Sequence, residues 1–208
     1  MNLILFDVDG TLIDSVAYES GCYGDAICEV LDEDVDRNWS RYQHVTDGGV
    51  LDEIIALRPR TLPPAEIHQR VHDAFVAKLQ AHFAQYPAAV REIPGATAFV
   101  AAVSKRSDCA VGIATGGWFA PAQLKLAGIG LETSGLALAT GSDASARTEI
   151  MQLAAERALS GRSPKRRIYF GDRDWDRSAC AELGYEFVAV GEDVEHPVRL
   201  ADFARREQ

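Results

Sequence analysis

The chain opens on an apolar run, Leu3-Ile4-Leu5-Phe6, that drives straight into Asp7-Val8-Asp9-Gly10-Thr11. Near-continuous apolar stretches of this length mark strands of parallel sheets buried on both faces. Two later stretches repeat the design. Cys109-Ala110-Val111-Gly112-Ile113-Ala114 runs into Thr115-Gly116-Gly117, and Ile168-Tyr169-Phe170 runs into Gly171-Asp172-Arg173-Asp174-Trp175-Asp176. Shorter runs at 136–139 and 186–190 predict two more strands. Between these segments the apolar spacing becomes helical. Helices are predicted over 14–31, with Asp14 or Ser15 as N-cap, after Thr46-Asp47-Gly48-Gly49 until Pro59, and from Pro63-Pro64 until Pro87. Further helices are predicted over 96–104, 120–127, 147–159 and 177–183, and 199–208 reads as a polar helix or frayed tail. Strands alternating with helices predict an α/β fold with a doubly wound, mostly parallel sheet. One block interrupts that alternation: 15–91 is helical throughout, dividing the chain into 1–14 plus 92–208 and an inserted helical unit.

At 208 residues, 47% hydrophobic and 25% charged, the composition is that of an ordinary soluble globular protein. The formal net charge of −10 disfavours nucleic acid or an anionic membrane as a partner. Cys22, Cys28, Cys109 and Cys180 are widely spaced and suggest free, mostly buried thiols in a reducing compartment. With no leader-like start and no apolar run of about 20 residues, a cytoplasmic protein is expected, as a monomer or weak homodimer.

The candidate chemistry lies where the apolar runs end. Parallel strands present their carboxyl ends on one edge, and ligands bind beyond that edge. Asp7, Asp9, Thr115, Asp172 and Asp176 can therefore converge although more than a hundred residues separate them. Asp7 and Asp9 lie two apart on one side of an extended backbone, and burying both unpaired would cost several kcal/mol. A divalent cation relieves this, and carboxylates from Asp7, Asp172 and Asp176 with a backbone carbonyl suit Mg²⁺. Donors from Thr11, Thr115, Gly116 and the adjoining Gly117 would cradle an anion beside it. That is a phosphoryl-transfer site in outline.

The run Asp7-Val8-Asp9-Gly10-Thr11 after its strand, Thr115 after the second, and Gly171-Asp172 with Asp176 near the end resemble the haloacid dehalogenase-like hydrolase superfamily. The helical block falls where phosphatase-type members insert an α-helical cap on a Rossmann-like core. The resemblance implies a Mg²⁺-dependent phosphohydrolase acting on a small phosphorylated metabolite. Asp7 would be the nucleophile, forming an aspartyl-phosphate. Asp9 would be general acid and then general base, its backbone carbonyl also a metal ligand. Thr115 would bind the transferring phosphoryl group and Asp172 the metal, with Asp176 completing or orienting the metal site. A phosphosugar mutase, a phosphonate C–P hydrolase or a non-catalytic binding protein on the same fold are the alternatives.

The family also places a lysine beside the nucleophile. Arg147, at the start of a predicted helix, stands in that position. Lys165 and Lys125 are the other candidates, Lys125 reading as a solvated or snorkelling residue of an amphipathic helix. Two readings stand for Thr46 and Asp47: a loop closing over the site to bind substrate, or a helix N-cap after a turn. Trp118 and Trp175 wall the pocket or fill the core, and Asp174 has Arg173 as a prospective partner in solvent. The five histidines show no ligand spacing.

Overall fold

A computed structural model of the chain describes residues 1–204. Six strands form one sheet: β1 (Asn2–Phe6), β2 (Cys109–Ala114), β3 (Ala137–Ala139), β4 (Arg166–Gly171), β5 (Glu186–Val190) and β6 (Arg199–Leu200). Their order is β3-β2-β1-β4-β5-β6 and every pairing is parallel. β1 lies at the centre, with all five residues in register against both β2 and β4. The sheet is doubly wound, as expected. On one face α6 (Arg147–Leu159) and α7 (Asp174–Leu183) cover Leu3, Leu5, Tyr169 and Phe187. On the other, α4 (Ala96–Ser104) and α5 (Phe119–Gly128) supply Ala96, Val100 and Leu126 to a core with Ile4, Phe6, Ile113 and Phe170.

The helices α1 (Val16–Leu31), α2 (Asp47–Ala56) and α3 (Pro64–Gln85) build a third apolar cluster of their own. Ile67, Val71, Phe75 and Leu79, at successive i, i+4 positions of α3, are buried there against α1 and α2. The chain leaves the sheet and returns to it side by side: the Asp14 N–H donates to the Arg91 carbonyl (3.0 Å) and the Ile93 N–H to that of Leu12 (2.9 Å).

The structure corrects the predicted end of the chain. Arg199–Leu200 is a short strand extending the sheet beside β5, and Phe203 joins the aromatic cluster of Phe6, Phe99 and Phe170. Residues 205–208 lie outside the described ones. The α7 helix also starts at Asp174 instead of 177, because Asp176 accepts a hydrogen bond from the Arg173 N–H and so caps the first turn. All four cysteines are free, but only Cys180 is fully buried; the others are half-buried. Among the described residues no helix is long and apolar enough to cross a membrane.

Candidate active site

A cavity of about 340 Å³ opens at the carboxyl ends of β1, β2 and β4, beneath α1 and α2. Asp7 continues β1, its N–H donating to the Phe170 carbonyl (2.9 Å). The chain then turns sharply, the Gly10 N–H bonding the Ile13 carbonyl at 2.8 Å with Gly10 at φ +75°. Only glycine suits this position twice over. The left-handed φ disfavours a side chain, and a Cβ there would lie 2.1 Å from Asp172 Oδ2.

Asp7, Asp172 and Asp176 converge, each offering a carboxylate oxygen within 4.8 Å of the others. Arg147, from the start of α6, reaches between them: Nη1 lies 2.9 Å from Asp176 Oδ1 and 3.5 Å from Asp7 Oδ2. Its Nη2 donates to the Val45 carbonyl at 3.3 Å. The backbone makes room for the guanidinium, since a Cβ on Gly116 would lie 2.6 Å from Nη2. Burial pushes the Asp7 carboxyl up to about 7, with Asp176 and Asp9 adding to the shift and Arg147 opposing it. Burial, reinforced by Asp7 and Asp176, pushes Asp172 up to about 8 against the pull of Arg173. Asp176 moves upward for the same first reason, against Arg147.

Asp7 Oδ1 and Asp172 Oδ1 are buried with no hydrogen-bond partner among the described residues. Unsatisfied buried carboxylate oxygens are costly. An all-oxygen donor set with two free oxygens fits a hard divalent cation. Asp176 differs. Its Oδ1 faces Arg147 and its Oδ2 accepts the Arg173 N–H at 3.2 Å, so both oxygens already have partners.

Thr115 caps β2 and lines the cavity with Gly116 and Gly117; its Oγ1 accepts the Gly117 N–H at 3.3 Å. Thr46 is the N-cap of α2, its Oγ1 accepting from the Gly49 N–H at 3.1 Å and donating to the Ser145 carbonyl at 2.8 Å. Asp47 lines the cavity and is tied to the loop after β2: its N–H donates to the Gly116 carbonyl (3.0 Å) and its Oδ2 accepts from the Trp118 N–H (2.8 Å). Tyr23 donates to the Asp47 carbonyl from α1. Thr11 is not brought to the cavity. It is fully buried below the turn, with no partner for its hydroxyl among the described residues and no part in the lining. Trp118 lies in the helical core and Trp175 lines the cavity. Asp174 pairs with Arg177 instead of Arg173, which turns to Asp172 and Asp193.

Lys125 overturns the expectation of a solvated or snorkelling side chain. It has no exposed surface, and its Nζ lies 2.6 and 2.5 Å from the two oxygens of Asp9 and 3.6 Å from Glu19 Oε1. These carboxylates keep its ammonium charged, outweighing the burial that would discharge it. Ser15, at the N-cap of α1, donates to Asp9 Oδ1 at 2.5 Å instead of capping its helix. Helical spacing holds the signal for this. Lys125 follows Ala122 by three residues and precedes Leu126 by one, and both are fully buried, so it falls on the apolar stripe. Lys165 is exposed and does not line the cavity; its N–H pairs with the Met1 carbonyl.

A family model for the haloacid dehalogenase-like hydrolases matches residues 1–184. The chain belongs to that family. No curated protein matches its sequence. Solved structures share its fold. CbbY from Rhodobacter sphaeroides in complex with phosphate is 21% identical with TM-score 0.72, covering 98% of this chain and 95% of its own. A mutant of the same CbbY, with the same values, was solved with xylulose-(1,5)bisphosphate. A β-phosphoglucomutase from Clostridium difficile is 14% identical with TM-score 0.70, covering 98% and 92%. A hydrolase from Pseudomonas syringae is 19% identical with TM-score 0.70, covering 91% and 84%.

Proposed function

We propose that this hydrolase removes phosphate from a small phosphomonoester through an aspartyl-phosphate on Asp7, with Mg²⁺ as cofactor. One observation carries it: among the described residues the buried Asp7 Oδ1 has no partner, beside an equally unpartnered Asp172 oxygen and across from the Arg147 guanidinium. Asp7 and Asp172, with the Asp9 backbone carbonyl, would hold the cation, and Asp176 would orient Arg147. Bound there, Mg²⁺ would screen the carboxylates from one another and draw charge from the phosphoryl oxygens.

The chain's own groups divide the remaining work. An Asp7 oxygen bonds to phosphorus as the ester P–O bond breaks, and Asp9 gives its proton to the departing oxygen. Asp9 then takes a proton from water, the resulting hydroxide attacks phosphorus, and the Asp7–phosphorus bond breaks to free inorganic phosphate. Arg147 and the donors of Thr115, Gly116 and Gly117 stabilise charge on the transferring group. The helices over 15–91 would act as a cap whose Thr46-Asp47 end, clasped to the β2 loop, closes the cavity and contacts substrate. CbbY holds phosphate in one structure and a sugar bisphosphate in another, which favours a small phosphorylated metabolite as substrate here.

The test is phosphate release from p-nitrophenyl phosphate and a panel of phosphorylated metabolites with Mg²⁺. Release is expected, with loss in EDTA and a fall on the order of 10³-fold or more in Asp7→Asn. Turnover in Asp7→Asn near that of the unmodified protein rejects the mechanism. Interconversion of phosphosugar isomers without net phosphate release moves the assignment to a mutase, in line with the likeness to a β-phosphoglucomutase.

A further inference from the structure

Asp9 is held far more tightly than a proton-transferring carboxylate needs. Its Oδ1 accepts from Ser15 Oγ at 2.5 Å and from Lys125 Nζ at 2.6 Å, which fills both lone-pair directions of that oxygen. Its Oδ2 accepts from Lys125 Nζ alone among the described residues, at 2.5 Å, and keeps one lone pair. That oxygen lies beside Gly117, 3.8 Å from where a Cβ would stand, and the Asp9 carboxylate retains some exposure to the cavity. Lys125 is fully enclosed, and a buried ammonium persists only where carboxylates face it. Its place in the last turn of α5 adds the favourable end of the helix dipole. A pair that merely fastened α5 to α1 would place its closest contact on Glu19. The closest contacts go to Asp9, and Glu19 lies a full ångström farther away.

We propose that Lys125 is the positioning residue that fixes the Asp9 carboxylate so that Oδ2, and not Oδ1, meets the leaving-group oxygen. Glu19 is the second anchor, tying this orientation to α1. The inference rests on the acid–base role of Asp9 given above. It concerns where the carboxylate points, and predicts a signature that a structural ion pair does not share. Proton donation matters most for leaving groups that depart poorly without a proton, so a misplaced Asp9 penalises alkyl esters and spares nitrophenyl esters.

The experiment uses the full chain with Lys125→Met, and Lys125→Met with Glu19→Gln to avoid an unpaired carboxylate should the single variant fail to fold. Ethyl phosphate and p-nitrophenyl phosphate are compared in the first turnover, reading release of ethanol or nitrophenol. The expected result is a fall of about 10²-fold for ethyl phosphate, within the usual worth of a general acid, and a much smaller one for p-nitrophenyl phosphate. Asp9→Asn should reproduce that pattern. Equal falls on both esters, no fall, or a faster reaction of ethyl phosphate overturns the proposal. A crystal structure of the variant gives a readout apart from activity: the Asp9 carboxylate should leave its place beside Gly117, and an unmoved carboxylate also overturns the proposal. If the unmodified protein releases phosphate from no substrate, the phosphohydrolase assignment fails, and the crystal structure alone decides whether Lys125 orients Asp9.

Discussion

Asp7 and Asp9 are two residues apart on one strand end, yet their surroundings are opposite. Around Asp7 three carboxylates crowd together, and two of their oxygens have no partner among the described residues. Around Asp9 a buried ammonium and a serine hydroxyl satisfy nearly every acceptor. A crowded, unsatisfied carboxylate is built to receive something, whereas a saturated one is built to stay where it is. The contrast separates the candidate nucleophile and metal ligand from the candidate proton carrier without reference to the residue type, which is the same.

Removing the nucleophile in Asp7→Asn is the strongest attack on the crowded side. Next comes its guanidinium: Arg147→Met should lower kcat by about 10²–10³-fold, the worth of one preorganised donor to a transferring group. Steady-state rates on p-nitrophenyl phosphate check it, and a loss below about tenfold would place Arg147 outside the chemistry. Gly10→Ala sharpens the comparison by driving a methyl group into Asp172 on the crowded side. It should cost about 1–3 kcal/mol of stability from the strained φ alone. Displacement of Asp172 should also weaken Mg²⁺ binding; denaturant unfolding and metal titration measure both.

Acidity offers a gentler probe. Asp7 and Asp172 have folded pKa values raised to about 7 and 8 from an ordinary 3.8, so the folded protein binds more protons than the unfolded chain across that interval. In EDTA, stability should therefore fall as pH rises from about 4 through 8. Mg²⁺ binds the ionised groups, and its stabilising shift in Tm should grow with pH over the same range. A Mg²⁺ shift independent of pH would remove these carboxylates from the metal site. The smallest effect is expected at the clasp: Asp47→Ala loses one hydrogen bond to the β2 loop, worth about 1 kcal/mol. Several-fold changes in the kcat/KM ranking of a substrate panel are expected, and an unchanged ranking would leave Asp47 as a helix-start residue only.

The strands and their order of chemistry were legible because apolar runs ending in Asp, Thr and Gly can hardly be anything but buried parallel strands with a site at their tips. Arg147 was legible through its place at the start of the helix before the last acidic motif, where the resembling family has a lysine, and it lies against Asp7 and Asp176. Lys125 was misread, because a charged side chain in an amphipathic helix is ordinarily solvated; its place on the apolar stripe marked it for burial, but its partner Asp9 comes from another element. Thr11 misled in the other direction: Asp7 and Asp9 line the cavity, but beyond the tight turn through Gly10 the Thr11 side chain lies in the interior. The strand at Arg199–Leu200 is too short and polar to show a period, and exists because β5 offers it an edge.

The position of β1 has a consequence for how the molecule opens. Every residue of β1 is matched on both sides, by β2 and by β4, while β3 and β6 at the sheet's margins contribute three and two residues. Partial unfolding starts where few hydrogen bonds and little apolar contact must be given up. It can thus release the margins of the sheet and leave the segment carrying both aspartates folded. The edges of the sheet can breathe while the floor of the cavity keeps its shape.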